Sequence, residues 1–388
     1  MKKQKTISLN IFLLFVLFSC SPYPQAHKHI WSNPTYIWAD DYSSCTARRV
    51  CLIDESHFEE ETALSSYEII TPATIEDDGL AKYTCSFENP TFETQIKGIT
   101  LEKLKYATTP IFSDDNKTVT YGLFPKTHVQ DETLIDALDE LYWDEEKGPE
   151  ENGWYFYNGD YYCRHYCNSP FYTGDEKGYF DDGDEINKYY SYWFKCEPIV
   201  WNVLDINMEE CLLVSSELLY SRNYYVNTSN RNIDGKTIYP SNYRYSGVRE
   251  WLNEDFYNSA FYLGNDYIKE TIVDNSPSST GSGTNNYACD NTQDRVFLLS
   301  YADYNNLNYG FTNLDSRKCK TTDYARATGA YYSKSNGETY NGYHWTRSPT
   351  SGYPNYVNYI RSDGDFLFND NVSVAYRCVR PAIVIEIK

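Results

Sequence analysis

The stretch that decides the fold reads Trp345-Thr346-Arg347-Ser348-Pro349, then a hairpin signal at Asp363-Gly364, then Tyr376-Arg377-Cys378-Val379-Arg380-Pro381-Ala382-Ile383-Val384-Ile385. Short apolar segments punctuated by Pro, Asp and Gly are the pattern of strands, and Ala382 to Ile387 alternates as a half-buried strand. Arg347 and Arg380 stand in apolar surroundings, where a guanidinium is tolerated only with several acceptors, so both are expected to knit loops to a sheet. Pro349 and Pro381 are expected to end or edge their strands, because proline donates nothing to a ladder.

Upstream, Ile199-Val200-Trp201-Asn202-Val203-Leu204 and Cys211-Leu212-Leu213-Val214-Ser215 read as strands flanking a turn near Asn207. Ser246 is placed to cap a short helix whose Val248, Trp251, Leu252 and Phe256 share one face. The polar run Ser276 to Asn286 reads as a loop and Arg295 to Leu299 as a buried strand. Ser300 caps a turn carrying Tyr301, Tyr304 and Leu307, and Thr322 to Thr328 is a brief helix stopped by Gly329. Asp131 caps a helix bearing Leu134, Ile135, Leu138, Leu141 and Tyr142, and Asn158-Gly159 turns a hairpin. Tyr67 to Cys85 alternates around Asp78-Gly79, with Phe92 to Ile96 as a further strand, and a boundary is expected near Pro110 to Asn116. Residues 30–66 show no clear period and are assigned irregular or short-strand structure. The fold class is α+β.

Lys2, Lys3 and Lys5 precede Ile11-Phe12-Leu13-Leu14-Phe15-Val16-Leu17-Phe18, which is shorter than the ~20 residues a spanning helix needs, so residues 1–19 read as a signal peptide. The run ends in Leu17-Phe18-Ser19-Cys20, which resembles a bacterial lipobox with Phe18 at a position usually small or branched. That resemblance implies lipidation of Cys20, attachment to a membrane of the cell envelope by lipid alone, and a polar tether after it. Losing the three lysines takes the formal charge from −21 to −24. Such acidity argues against nucleic acid and anionic headgroups as partners.

Of the 11 cysteines, setting Cys20 aside leaves an even number, which in an exported chain favours disulfides over metal. Cys45 with Cys51 and Cys163 with Cys167 are candidates for local bridges, and Cys289, Cys319 and Cys378 are further candidates. In an envelope without an oxidising pathway, several stay free thiols. The 40 tyrosines suit an adaptable binding surface and equally a strand-rich exported protein.

Pro198-Ile199-Val200-Trp201, Leu212-Leu213-Val214-Ser215, Val248-Arg249-Glu250-Trp251-Leu252-Asn253, Asp294 to Ser300, Trp345 to Pro349 and Val379-Arg380-Pro381-Ala382 occur in an order that resembles the bacterial domain of unknown function 6273. The resemblance covers about residues 118–388. The chain has Tyr376-Arg377-Cys378 where that family commonly has a glycine, and this makes its ending similar also to formylglycine-generating-enzyme-like domains. Both resemblances imply a C-type-lectin-like domain with an irregular antiparallel sheet and short helices. Pro72-Ala73-Thr74, the acidic-Gly turn and Tyr83-Thr84-Cys85 resemble a small all-β repeat of bacterial surface proteins, placed at 67–110 after a tether and irregular segment at 20–66.

No constellation defines a reaction. In Cys163-Arg164-His165-Tyr166-Cys167 the ligand types alternate too closely to wrap one zinc ion, and His165 is read as a surface residue. Asp181-Asp182-Gly183-Asp184-Glu185 lacks the spacing of an EF-hand and reads as an acidic turn. Asn369-Asp370 and Pro354-Asn355 resemble parts of the calcium and sugar site of true C-type lectins, but Tyr353 replaces a required ligand. The six histidines are scattered, with His27 and His29 in the tether. No cofactor and no metal are expected. The leading expectation is non-enzymatic binding of a protein or glycan through Tyr343, Trp345, Tyr353, Tyr356, Tyr359 and Arg361. The alternatives are an oxidase related to formylglycine generation, whose cysteine pair would be Cys319 and Cys378, and a purely structural surface protein.

Overall fold

The computed structural model describes residues 27–71, 73, 77–103, 106–144, 147–170, 177–281, 284–333, 340–366 and 368–387. The signal peptide, Cys20 and the tether up to residue 26 lie outside the described residues. Strands dominate, with a few short helices, in an α+β arrangement. The chain forms two units, the first ending at Lys103 and the second beginning at Leu104.

In the first unit, Thr35–Trp38, Ser44–Val50 and Phe58–Leu64 form an antiparallel meander, and Ser66–Thr71, Gly79–Cys85 and Gln95–Leu101 form a second. Of the irregular or short-strand structure expected for residues 30–66, the short strands are what forms. The period is hidden because the meander has little buried face: Phe58–Leu64 buries only Ala63, and cross-strand ion pairs Arg48–Glu60 (3.2 Å) and Arg49–Glu59 (2.7 Å) replace apolar contacts. Cys45, Ala63 and Cys85, from both meanders, share one small core with Tyr36, Trp38 and Phe87 packed on it.

The boundary falls before Pro110, because Ile111–Phe112 pairs with Thr118–His128 and the Tyr106 hydroxyl donates to Asp160 (2.9 Å). The main sheet of the second unit has eight strands, with Val296–Phe297, Ala382–Glu386, Glu210–Ser215, Tyr190–Ile206, Asp160–Cys167 and Tyr155–Tyr157 in lateral order. Thr118–His128 joins it along Tyr190–Ile206, which serves as a spine: its first part pairs with Asp160–Cys167 and its last part with Glu210–Ser215. Pro198 sits inside this strand, and the register with Thr118–His128 shifts between Pro198 and Val200, a break compatible with a missing donor. Ala382–Glu386 is buried along four of its five residues, so the expected half-burial is corrected: neighbouring strands flank it and core covers both faces.

A five-stranded sheet carries the opening landmark, in the order Tyr220–Ser221, Cys378–Val379, His344–Pro349, Tyr356–Ile360, Phe368–Asn371. The hairpin expected at Asp363-Gly364 joins the last two strands. Gly364 has φ +86°, and a Cβ there would lie 1.9 Å from the Leu314 carbonyl oxygen, so the turn requires glycine. The core is aromatic: Trp201, Trp345, Tyr224, Tyr243, Tyr304 and Phe256 are fully buried. Each fully buried side chain of this size contributes at least about 1.5–3 kcal/mol.

Most cap expectations are met. The Asp131 side chain accepts from Thr133 and Leu134 at the start of Glu132–Trp143, and Ser246 caps Gly247–Trp251, which continues as a π turn at Leu252–Phe256. Ser300 and Asp303 form a capping box on Tyr301–Tyr304, and Thr322 caps Asp323–Ala327. The loop expected at Ser276 to Asn286 instead begins with a helical turn, Pro277–Thr280, with Ser276 as cap and Pro277 at the first helical position.

The ten described cysteines are free thiols. Cys163 and Cys167 stand four residues apart on one strand, roughly 13 Å at strand rise. A disulfide reaches less than about 7 Å between Cα atoms, so that local bridge is corrected, as is Cys45 with Cys51 along Ser44–Val50. Cys289, Cys319 and Cys378 are likewise unbridged.

Candidate binding cleft

Two open clefts meet in the second unit. The larger, about 490 Å³, is lined by Arg231, Arg244, Tyr245, Arg249, Glu250, Glu254, Glu270 and Arg295, among others. A neighbouring cleft of about 410 Å³ shares Arg244 and Tyr245 and adds Asp234, Lys236, Asn242, Cys289 and Asp290. Four arginines on one wall are notable in a chain of formal charge −21.

Their partners separate scaffold from free binding capacity. Arg249, on the helix capped by Ser246, donates to Asp294 (2.6 Å), to the Arg244 carbonyl (3.0 Å) and to the Gln293 carbonyl (3.1 Å), so the fold uses it fully. Arg244 meets Asp290 at 3.2 Å and Arg295 meets Glu270 at 3.6 Å, both as half-exposed pairs that water screens. Arg231 lies over the Tyr225 ring at 4.0 Å and donates once, to the Tyr245 carbonyl (3.0 Å). Its Nε is buried without a partner, and it makes no ion pair among the described residues.

One wall of this region is tied to the Tyr-rich loop. The Ser241 backbone N–H and hydroxyl both donate to the Pro354 carbonyl (3.1 and 2.7 Å), and Asn285 Nδ2 donates to the Pro349 carbonyl (2.6 Å). Tyr353 and Tyr356 on that loop have ring centroids 5.3 Å apart, and Tyr353 is 59 % exposed. Tyr239 and Tyr287 make an edge-to-face pair at 4.9 Å between the same segments.

The six expected contacts do not form one surface. Tyr343 and Tyr359 stack at 5.4 Å, and Arg377 lies over them at 4.6 and 4.2 Å while pairing with Asp370. Arg361 pairs with Asp363 (3.3 Å) and hydrogen-bonds Tyr343. Arg377 Nε and Nη1 in this cluster are buried without a hydrogen-bond partner. Trp345 is corrected from contact to core: it is 1 % exposed, donates from its indole N–H to the Arg222 carbonyl (2.9 Å) and packs edge-on against Tyr224. Tyr353 is exposed and Tyr356 is partly exposed.

The other motifs resolve as scaffold. Cys163, His165 and Cys167 share one strand face turned toward Asp323–Ala327, with Cys167 Sγ 3.0 Å from the Ala327 carbonyl and Cys163 Sγ 3.8 Å from the Tyr324 hydroxyl. Burial pushes these thiols up to about 11 and 12 and holds the imidazole of His165 below its usual value, so the surface histidine is corrected to a packed one. In the acidic turn, Asp181 receives Arg326 and Lys320, and Asp182 sits 2.8 Å from His128 Nδ1. Cys319 and Cys378 do enter one buried cluster, at 3 % and 0 % exposure. Burial raises the Cys319 thiol to about 11 and that of Cys378 higher still, the reverse of an activated nucleophile.

The arginine cleft escaped sequence reasoning because its residues come from four separate segments. A usable signal was present, since Arg222, Arg231, Lys236, Arg244 and Arg249 concentrate basic charge in an acidic chain.

The fold and cleft thus define a strand-dominated α+β unit with an open polar cleft. Residues 209–387 match the family model Domain of unknown function (DUF6273). The expected resemblance began at 118, yet Thr118–His128 and Tyr190–Ile206, which precede the match, share the main sheet with the matched Glu210–Ser215 and Ala382–Glu386. No curated protein and no solved structure matches the chain.

Proposed function

We propose that this chain is a lipid-anchored protein of a bacterial cell envelope whose second unit, C-type-lectin-like in kind, binds a carboxylate-bearing glycan without turning it over. Arg231 carries the reading. It lines the cleft, makes no ion pair among the described residues and donates from Nη2 to the Tyr245 carbonyl. A guanidinium in that state accommodates a carboxylate in a two-pronged hydrogen bond. Glu250, Glu254 and Glu270 accept from sugar hydroxyls, and Tyr245 offers its ring to a sugar face. The lipobox-like Leu17 to Cys20 supports the anchored location.

The test is calorimetric titration of the full chain with a uronic-acid oligosaccharide and with a neutral oligosaccharide of equal length. Preference for the uronate, and a loss of about tenfold or more (~1.4 kcal/mol) in Arg231→Ala, is expected. Equal affinity of Arg231→Ala and the parent chain refutes the assignment.

A further inference from the structure

Three of the six histidines gather around one cysteine in the first unit. The main-chain bonds from Leu52 N–H to the Ile30 carbonyl (2.7 Å) and from Ser32 N–H to the Val50 carbonyl (2.9 Å) lay residues 27–32 beside Cys51. His27 and His29 alternate along this segment, and the bond from the Cys51 N–H to the His57 carbonyl (2.8 Å) folds His57 back to the same place. The ring centroids lie 4.8 Å apart for His27 and His29, 5.1 Å for His27 and His57, and 5.0 Å for His29 and His57.

Ligand atoms of His27, His29 and Cys51 all fall within 4.8 Å of one another, and Cys51 Sγ is 3.4 Å from His27 Nε2. Sulfur and nitrogen bound to one tetrahedral zinc ion are separated by about 3.6 Å, given bonds of about 2.3 and 2.1 Å. His57 Nδ1 is buried without a hydrogen-bond partner, while its Nε2 stands 4.0 Å from Asp54 Oδ2. Trp31 stacks on His29 at 5.0 Å and covers one side.

We propose that His27, His29 and Cys51, with the His57 ring packed against both imidazoles, bind one divalent ion of the zinc class. Thiolate and imidazole donors select such borderline ions over calcium or magnesium. The ion clasps residues 27–31 to the first meander.

The probe is Co²⁺, added to metal-depleted, untagged full chain. One ion per chain, a sulfur-to-cobalt charge-transfer band, tetrahedral visible bands and displacement by Zn²⁺ are expected. Cys51→Ser removes the charge-transfer band. His29→Gln, at an exposed position that the fold tolerates, weakens binding by at least about tenfold, the loss that even an outer-sphere partner can cause. His128→Asn changes none of this. Absence of a sulfur-to-cobalt band in the parent chain, or its survival with unchanged affinity in His29→Gln, overturns the proposal. If Cys51→Ser loses its native circular dichroism, the His29→Gln result alone decides.

Discussion

Arg347 Nη1 lies 2.7 Å from Asp303 Oδ2 and 2.7 Å from the Leu298 carbonyl, joining the Trp345 landmark strand to the Ser300-capped helix. Its Nη2 reaches the Asp274 carbonyl (3.2 Å) and the Ser279 hydroxyl (3.4 Å), so one guanidinium gathers four segments. Arg380 acts likewise from the next landmark, donating to the Ser215 carbonyl (3.0 Å). The two arginines that mark the sequence are therefore scaffold, and the ligand reading moves to arginines elsewhere.

Arg347→Ala leaves the half-buried Asp303 without its cation and strands two carbonyls. A loss of about 3–5 kcal/mol is expected for breaking such a pair. Urea unfolding of the full chain measures it.

Core and rim aromatics should part company. Trp345→Ala opens a cavity and costs about 3–5 kcal/mol. Tyr353→Ala, at a 59 % exposed position, stays within about 0.5 kcal/mol of the parent in stability. Parallel melting of both variants separates the roles.

Stability should fall on acidification through His344. Burial, reinforced by the charge of Arg380, holds its imidazole neutral and its pKa well below the usual value, with Nε2 3.0 Å from the Tyr304 hydroxyl. The unfolded chain takes up a proton near pH 6.5 that the folded chain refuses. This contribution is therefore present above about pH 6.5 and is lost as pH falls below it, by up to about 1.4 kcal/mol per unit. His344→Gln, which keeps an acceptor for Tyr304, should show a flatter stability profile between about pH 6.5 and 5. An unchanged slope would remove His344 as the cause.

Lipidation is tested in cells. Cys20→Ala should abolish incorporation of labelled fatty acid and release the chain from membranes; continued labelling would place the anchor elsewhere.

The legible parts of this chain were local. Caps at Asp131, Ser246, Ser300 and Thr322, and the turns at Asn158-Gly159 and Asp363-Gly364, depend on residues within a few positions of one another. The acidic first meander was illegible because ion pairs such as Arg49–Glu59 do the pairing that apolar alternation would have announced. The cleft and the histidine cluster depend on backbone pairing that brings distant residues together. His29 and Cys51 become neighbours only once the Leu52 to Ile30 bond is known. Tyrosine density misdirected the contact assignment, since Tyr343 and Tyr359 spend their faces on Arg377.

The most direct test of the central claim is a hydrogen–deuterium exchange footprint of the full chain with and without a uronic-acid hexasaccharide. Protection concentrated in residues 231–254 and 288–295, absent in Arg231→Ala, is the predicted result. Protection confined to residues 343–361, or none at saturating ligand, would contradict it.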